Sequence, residues 1–280
     1  MSTTFFISPQ YKDLFKENDL VEFEDFLKIR KDYTEIISHK EGSVHFLNLN
    51  GNQFFLKIKK PERFRKVYRS IIRNFSYIAP VEKEVKNIKH LEKEGIKSVE
   101  ISAWGQDKKF GIVKNSFILT PKVNGEEVYK FYPKAKYTDR IHLYKELGKL
   151  IGNLHNKNID SLVRIQDILC EKTESAVKVN LIDREEGSTK HLVYTLEKAL
   201  AELAETSYKS IKMHLKVFIT HREAMCFCKS YLTSNKKIKL KPQQFYRMLI
   251  AEFLNYSKKR KSSDLVLALL PKNLKALSKV

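Results

Sequence analysis

The chain has 280 residues, 53 lysines and arginines against 33 aspartates and glutamates, and a formal net charge of +20 at pH 7. Its 42% hydrophobic residues allow one large or two modest buried cores. No window approaches the roughly 20 apolar residues that a membrane-spanning helix needs, and the N-terminus lacks a basic leader region, so a cytoplasmic protein is expected. Cys170, Cys226 and Cys228 are odd in number and unpaired in spacing, which argues against a disulfide framework. Cys226 and Cys228 also stand too close together for ordinary paired zinc ligands, even with His221 nearby.

The strongest compositional signal is the positive charge. Lysine is scattered through every segment, which reflects a coding bias as much as a selected surface. The densest cluster is Lys57, Lys59, Lys60, Arg63, Arg65, Lys66, Arg69 and Arg73, interleaved with Phe64, Tyr68, Ile71 and Ile72. Three readings suit it: a site for RNA phosphates, a face for an anionic membrane or lipid head group at about 1 kcal/mol per basic residue, or a solvated helix face.

Residues 34–37, 43–49 and 53–58 read as strands, with Asn50-Gly51-Asn52 as the hairpin turn between the last two. Pro61 and the basic segment follow. Pro80 then opens a helix in which Val81, Val85, Ile88 and Leu91 share one face, and Gly95 stops it. Extended runs are expected over 99–103 and 116–119. Beyond Pro121 the pattern turns helical: Ile141, Tyr144, Leu147, Ile151 and Leu154 mark one helix, and others are predicted over 192–203, 207–218, 221–232 and 242–256. Strands first and helices after, with a link near 120–125, predict an α+β protein of two lobes, residues 1–120 and 121–280.

Phosphoryl transfer requires positioning more than covalent chemistry: a lysine on the phosphates, a carboxylate orienting it, metal ligands, and a base for the acceptor hydroxyl. Phe54-Phe55-Leu56-Lys57 is an apolar strand ending in lysine just after a hairpin, as a phosphate-binding lysine requires. Glu84 lies in the first turn of the following helix, where a carboxylate meets such a lysine. For each of these residues the plain alternative is a surface charge in a highly charged chain. Farther on, Leu154-His155 ends an apolar helix, Asp167 precedes Ile168-Leu169, and Val179-Asn180-Leu181-Ile182-Asp183 is an apolar strand ending in aspartate. His155, closing that helix, reads as a hydrogen-bonded structural histidine.

Over residues 35–235 the chain resembles the lipopolysaccharide core kinases of the Kdo kinase/WaaP type, within the protein-kinase-like superfamily. The resemblance rests on Phe54 to Lys57, on Glu84 with Ile88, Leu91 and Gly95, and on Ser116-Phe117-Ile118-Leu119. It continues through residues 147–155 and Asn180-Leu181-Ile182-Asp183-Arg184. Residues 220–232, Thr220-His221-Arg222-Glu223 to Leu232, resemble a late helix that distinguishes this branch from aminoglycoside and protein kinases.

The resemblance implies a protein-kinase-like bilobal fold and ATP-dependent phosphoryl transfer, with Mg²⁺, to a lipopolysaccharide core or related anionic envelope saccharide. It implies a place in the cytoplasm, peripheral at the inner face of the inner membrane, with contact to anionic lipid and no nucleic acid partner. Lys57 would be the ATP-phosphate lysine, Glu84 its partner, and Asp183 and Asp167 the metal ligands. The family carries His-x-Asp shortly before the second ligand. Ser161-Leu162-Val163 stands there instead, and Asp160, about three positions early, is the nearest carboxylate for the catalytic role. Two alternatives follow: a pseudokinase of the same fold that binds nucleotide or a partner without turnover, and a basic RNA-binding protein.

Overall fold

The computed structural model describes residues 2–28, 34–39, 41–62, 65, 67–68, 71–72, 77–159, 167–174, 176–182, 193–212 and 219–260. They form two compact units: residues 1–92 with 98–123, and residues 93–97 with 124–280. The mixed α+β composition is that of the expected kinase-like fold.

The first unit is built on a six-stranded antiparallel sheet ordered β1-β5-β6-β4-β3-β2. Its strands are β1 Ser2–Ile7, β2 Thr34–His39, β3 Gly42–Leu49, β4 Asn52–Lys59, β5 Ala103–Lys109 and β6 Ile112–Pro121. Asn50 and Gly51 take φ of 50° and 85° between paired Leu49 and Asn52. Positive φ at both central residues matches the strand twist, which is why Asn-Gly closes this hairpin.

Strand alternation sorts the side chains onto two faces. On one face Phe54, Leu56, Phe117 and Leu119 meet the short helices α1 (Lys12–Glu17) and α2 (Phe23–Leu27) in an aromatic core. Phe26 stacks on Phe117 with centroids 4.7 Å apart, and Phe15 meets Phe54 edge-on at 5.6 Å. Gly105 is required on β5, because a Cβ there would stand 2.6 Å from the Phe23 ring. On the opposite face lies α3 (Pro80–Lys93), with Val81, Val85 and Ile88 packed against Ile118 and Val99.

The N-terminal strand and both short helices were not among the predicted elements. The run predicted over 99–103 is also displaced. Val99 packs beside α3 as an irregular segment, and the strand itself begins at Ala103. β-branched residues raised a strand signal where they serve a helix–sheet contact, whereas the polar Gln106-Asp107-Lys108-Lys109 gave none.

The second unit contains the small antiparallel sheet β7 (Glu126–Glu127), β8 (Ile168–Lys172) and β9 (Val177–Leu181), ordered β7-β8-β9. Its described helices are α4 (Val128–Lys134), α5 (Tyr137–Asn156), α6 (Leu196–Ser210), α7 (His221–Ser234) and α8 (Pro242–Lys259). Helix α6 runs through the break expected between residues 203 and 207. Ala204-Glu205-Thr206 holds no glycine or proline to stop it, and Thr195 caps its N-terminus by accepting from the Lys198 N–H. Tyr208, Tyr231, Phe245, Ile250 and Phe253 centre the core of this unit. A cavity of about 140 Å³ remains within that core, walled by side chains such as Leu147, Leu203, Phe227 and Phe253. Its lining is too apolar for phosphates or a metal ion.

Candidate active site

Lys57 is on β4, directly across from Ile118 of β6 and Val44 of β3. Residues opposite one another in an antiparallel pair share a face, so Lys57 points to the side that carries α3, away from the aromatic core. Glu84 falls on the same stripe of α3 as Val81, Val85, Ile88 and Leu91, and is therefore turned into the sheet. The result is the ion pair that the spacing predicts, with Lys57 Nζ 2.8 Å from Glu84 Oε1. Glu84 is 1% exposed and the lysine 20%. A carboxylate buried to that degree holds a lysine in place, because separating the two would leave a charge in a poorly solvated environment.

Two residues earlier on α3, Glu82 accepts from Lys86 Nζ at 2.8 Å and from Gln106 Nε2 and Lys108 Nζ at 3.0 Å each. This second network ties α3 to β5 beside the Lys57 pair. The sequence offered only the Glu82-to-Lys86 spacing as a signal for it.

In the second unit Asp167 immediately precedes β8 and is buried, at 6% exposure. Its carbonyl accepts from the Ile182 N–H at 2.9 Å, which extends the register that pairs Ile168 with Leu181. The hairpin therefore sets residue 167 beside residue 182, the neighbour of Asp183 in sequence. Asp183 and Asp160, like the Ser161-Leu162-Val163 stretch, lie outside the described residues. Among the described residues no three potential ligand side chains cluster as a metal site. Asp167 supplies what a hard cation takes, a carboxylate oxygen in a sheltered position.

His155 is fully buried at the end of α5. Its Nδ1 lies 2.7 Å from the Tyr231 hydroxyl, its ring stacks on Tyr194 at 4.3 Å, and its Nε2 is 3.7 Å from Glu202. Tyr194 donates to Glu202, and Asn235 donates to the Tyr231 oxygen at 3.1 Å. Every member sits in the interior, so this network joins α5, α6 and α7 rather than facing a substrate.

Helix α7 opens with a capping box: Thr220 accepts from the Glu223 N–H, and Glu223 accepts from the Thr220 N–H at 2.6 Å. The same fully buried Glu223 lies 3.1 Å from Arg140 Nε on α5 and accepts from the Tyr132 hydroxyl on α4. The Thr-x-x-Glu signature is legible in sequence. Its partners, some 80 to 90 positions earlier, are not.

A strand lysine clamped by a buried helix glutamate, in a β-rich unit followed by a helical one, defines a protein-kinase-like molecule. Solved structures agree on the fold. One titled "WaaP in complex with acyl carrier protein" matches with a TM-score of 0.65 at 14% identity, covering 94% of this chain and 99% of that one. An aminoglycoside-3'-phosphotransferase of type VIII matches with a TM-score of 0.51 at 12% identity, covering 80% and 94%. No curated protein matches the chain. The model of the lipopolysaccharide kinase (Kdo/WaaP) family matches residues 38–231, and the chain belongs to that family.

Proposed function

We propose that the protein transfers a phosphoryl group from ATP to a hydroxyl of the lipopolysaccharide core, or of a related anionic envelope saccharide, at the cytoplasmic face of the inner membrane. The observation that carries this reading is the Lys57–Glu84 pair at 2.8 Å, within the segment that matches the family.

In this reading Glu84 fixes the Lys57 ammonium so that it meets the nucleotide phosphates without reorganising. Asp183 and Asp167 would hold Mg²⁺ through oxygen, as hard cations require. When bound, the metal would neutralise charge on the phosphate oxygens. Asp160 is the residue proposed to take the acceptor proton. His155 takes no part, since its ring is engaged in the interior.

A second reading, a pseudokinase that binds nucleotide without turnover, is favoured by one observation: Ser161-Leu162-Val163 occupies the place of the family's His-x-Asp.

Both readings require nucleotide binding, and a thermal shift tests it. A ligand that binds only the folded state stabilises by about 2.7 kcal/mol at a hundred times its Kd. ATP with Mg²⁺ is expected to raise the Tm of the wild type. Lys57→Ala should lose most of that rise, and Asp183→Ala the part that depends on metal. An unaltered Mg²⁺-dependent shift in Asp183→Ala would remove Asp183 from the site, and no shift in the wild type would end both readings.

A further inference from the structure

Arg63, Lys66, Arg69 and Arg73 of the basic segment after β4 lie outside the described residues. A second basic stretch lies wholly within them, in the second unit. Between Glu223 and Glu252 the sequence carries Lys229, Lys236, Lys237, Lys239, Lys241 and Arg247 and no acidic residue. Elsewhere in this unit several lysines are neutralised: Lys130, Lys134, Lys149, Lys172 and Lys209 each stand 2.6–2.7 Å from a carboxylate. None of the six has a carboxylate partner among the described residues.

The turn between α7 and α8 organises half of this charge. In Lys237-Ile238-Lys239-Leu240-Lys241, Ile238 and Leu240 pack on the core of the unit, so the alternating lysines are turned to solvent, and all three are exposed. Two asparagines fasten this turn to the end of α5: Asn156 Oδ1 accepts from the Lys236 N–H at 3.2 Å, and Asn158 Oδ1 from Lys237 Nζ at 2.6 Å. Asn158 is itself held, since it also accepts from the Tyr194 N–H at 3.3 Å. An amide oxygen orients the ammonium without cancelling its charge, and it takes one of three donors, so two remain for an anion. Asn158 stands two positions before Asp160 in the sequence, where the chain leaves α5 and leads on to Asp167 and β8.

The surroundings select the anion. A bilayer is entered by exposed apolar side chains, and Ile238 and Leu240 are turned inward instead. Single-stranded nucleic acid is gripped by aromatic rings stacked on bases, and Tyr231, Phe245 and Tyr246, the nearest aromatics in sequence, are buried. Charge alone remains, which suits a small soluble anionic group. We propose that Lys237, Lys239 and Lys241 form a subsite for an acidic substituent, phosphate or carboxylate, of a saccharide. The proposal rests on the preceding functional reading in that such a substituent belongs to the acceptor, and it adds the residues that would select an acidic acceptor over a neutral one. It uses none of the residues assigned to ATP or metal.

Titration calorimetry without nucleotide tests it, with a lipopolysaccharide core oligosaccharide freed of its acyl chains as the probe. Lys237→Gln/Lys239→Gln removes two charges from exposed side chains while residue 237 keeps a donor for Asn158, so the fold is retained. It should bind the oligosaccharide about ten-fold more weakly than the wild type. Lys109→Gln/Lys114→Gln, which removes two exposed charges from the first unit, should bind as the wild type does, and this separates a subsite from general attraction to a basic protein. Phosphatase treatment of the oligosaccharide and methyl esterification of its carboxylates distinguish the two anions: the treatment that abolishes the difference between wild type and variant names the bound group. Wild-type binding that is absent, that survives in Lys237→Gln/Lys239→Gln, or that falls equally in the first-unit variant overturns the proposal. So does a difference that persists after both treatments, or a loss confined to binding of a single-stranded RNA homopolymer. ATP with Mg²⁺ should still raise the Tm of Lys237→Gln/Lys239→Gln, so a failure of nucleotide binding in the wild type strikes the kinase reading and leaves the subsite to be judged by the oligosaccharide alone.

Discussion

Glu82 shows how much a few donors can do to one carboxyl group. Burial pushes it up, but hydrogen bonds from Gln106, Lys86 and Lys108 outweigh that and bring it from an ordinary 4.5 down to about 2. A folded-state value below the unfolded one means that the unfolded chain takes up the proton first. The stabilisation is therefore fully present above about pH 4.5 and is lost as the pH falls towards 2. Glu82→Gln is expected to cost about 1 kcal/mol near neutrality, after allowance for solvent screening, and to flatten the loss of stability across that acid window. Urea denaturation at several pH values measures both, and parallel wild-type and variant curves would exclude Glu82 as the source. The Lys57–Glu84 pair was readable because each residue announces its own face, one by strand alternation and the other by a helical stripe. The Glu82 network was not, since Gln106 and Lys108 come from a strand whose polar sequence hides it.

Helices α5 and α7 pack through two glycines one turn apart. A Cβ on Gly148 would stand 2.5 Å from the Phe227 carbonyl oxygen, and one on Gly152 2.5 Å from that of Tyr231. Both obstacles are backbone atoms within α7, which cannot swing aside as a side chain would. Gly152→Ala should thus lower stability, by about 1–3 kcal/mol as overpacking does, although alanine is the better helix former. A shift of the urea midpoint to higher concentration would contradict this packing account. The sequence predicted both helices from their apolar periodicity, but the close approach left no mark in it, because a glycine inside a helix reads first as a weakness. Similarly, α1 and α2 are two short helices of five or six residues, too brief for periodicity to register, and only Leu14, Phe15, Phe23, Phe26 and Leu27 in or against the aromatic core reveal their purpose.

The order of elements, the β-rich first unit and the helical second one were legible because binary pattern and turn chemistry agree along most of the sequence. What the pattern cannot convey is whether the assembled parts turn over. A positioned base contributes about 10²- to 10⁴-fold to a proton-transfer step, and Leu162-Val163 stands where one is expected. In the proposed reading Lys57, held by Glu84, would still position the phosphates electrostatically, so phosphoryl transfer is expected to survive the loss but run slowly. The decisive measurement is phosphate transfer to a lipopolysaccharide core acceptor by wild type, Asp160→Asn and Asp183→Asn, with nucleotide affinity followed in parallel. Slow wild-type transfer that both substitutions abolish, with nucleotide still bound by Asp160→Asn, would assign the proton to Asp160. Transfer lost only in Asp183→Asn would leave Asp160 a bystander and rest catalysis on positioning alone. A wild type that binds nucleotide yet never exceeds Asp183→Asn on any core saccharide would be the pseudokinase. Rates in the range of roughly 1–100 s⁻¹ usual for kinases would mean that a different carboxylate serves as base and that the expected slowness was wrong.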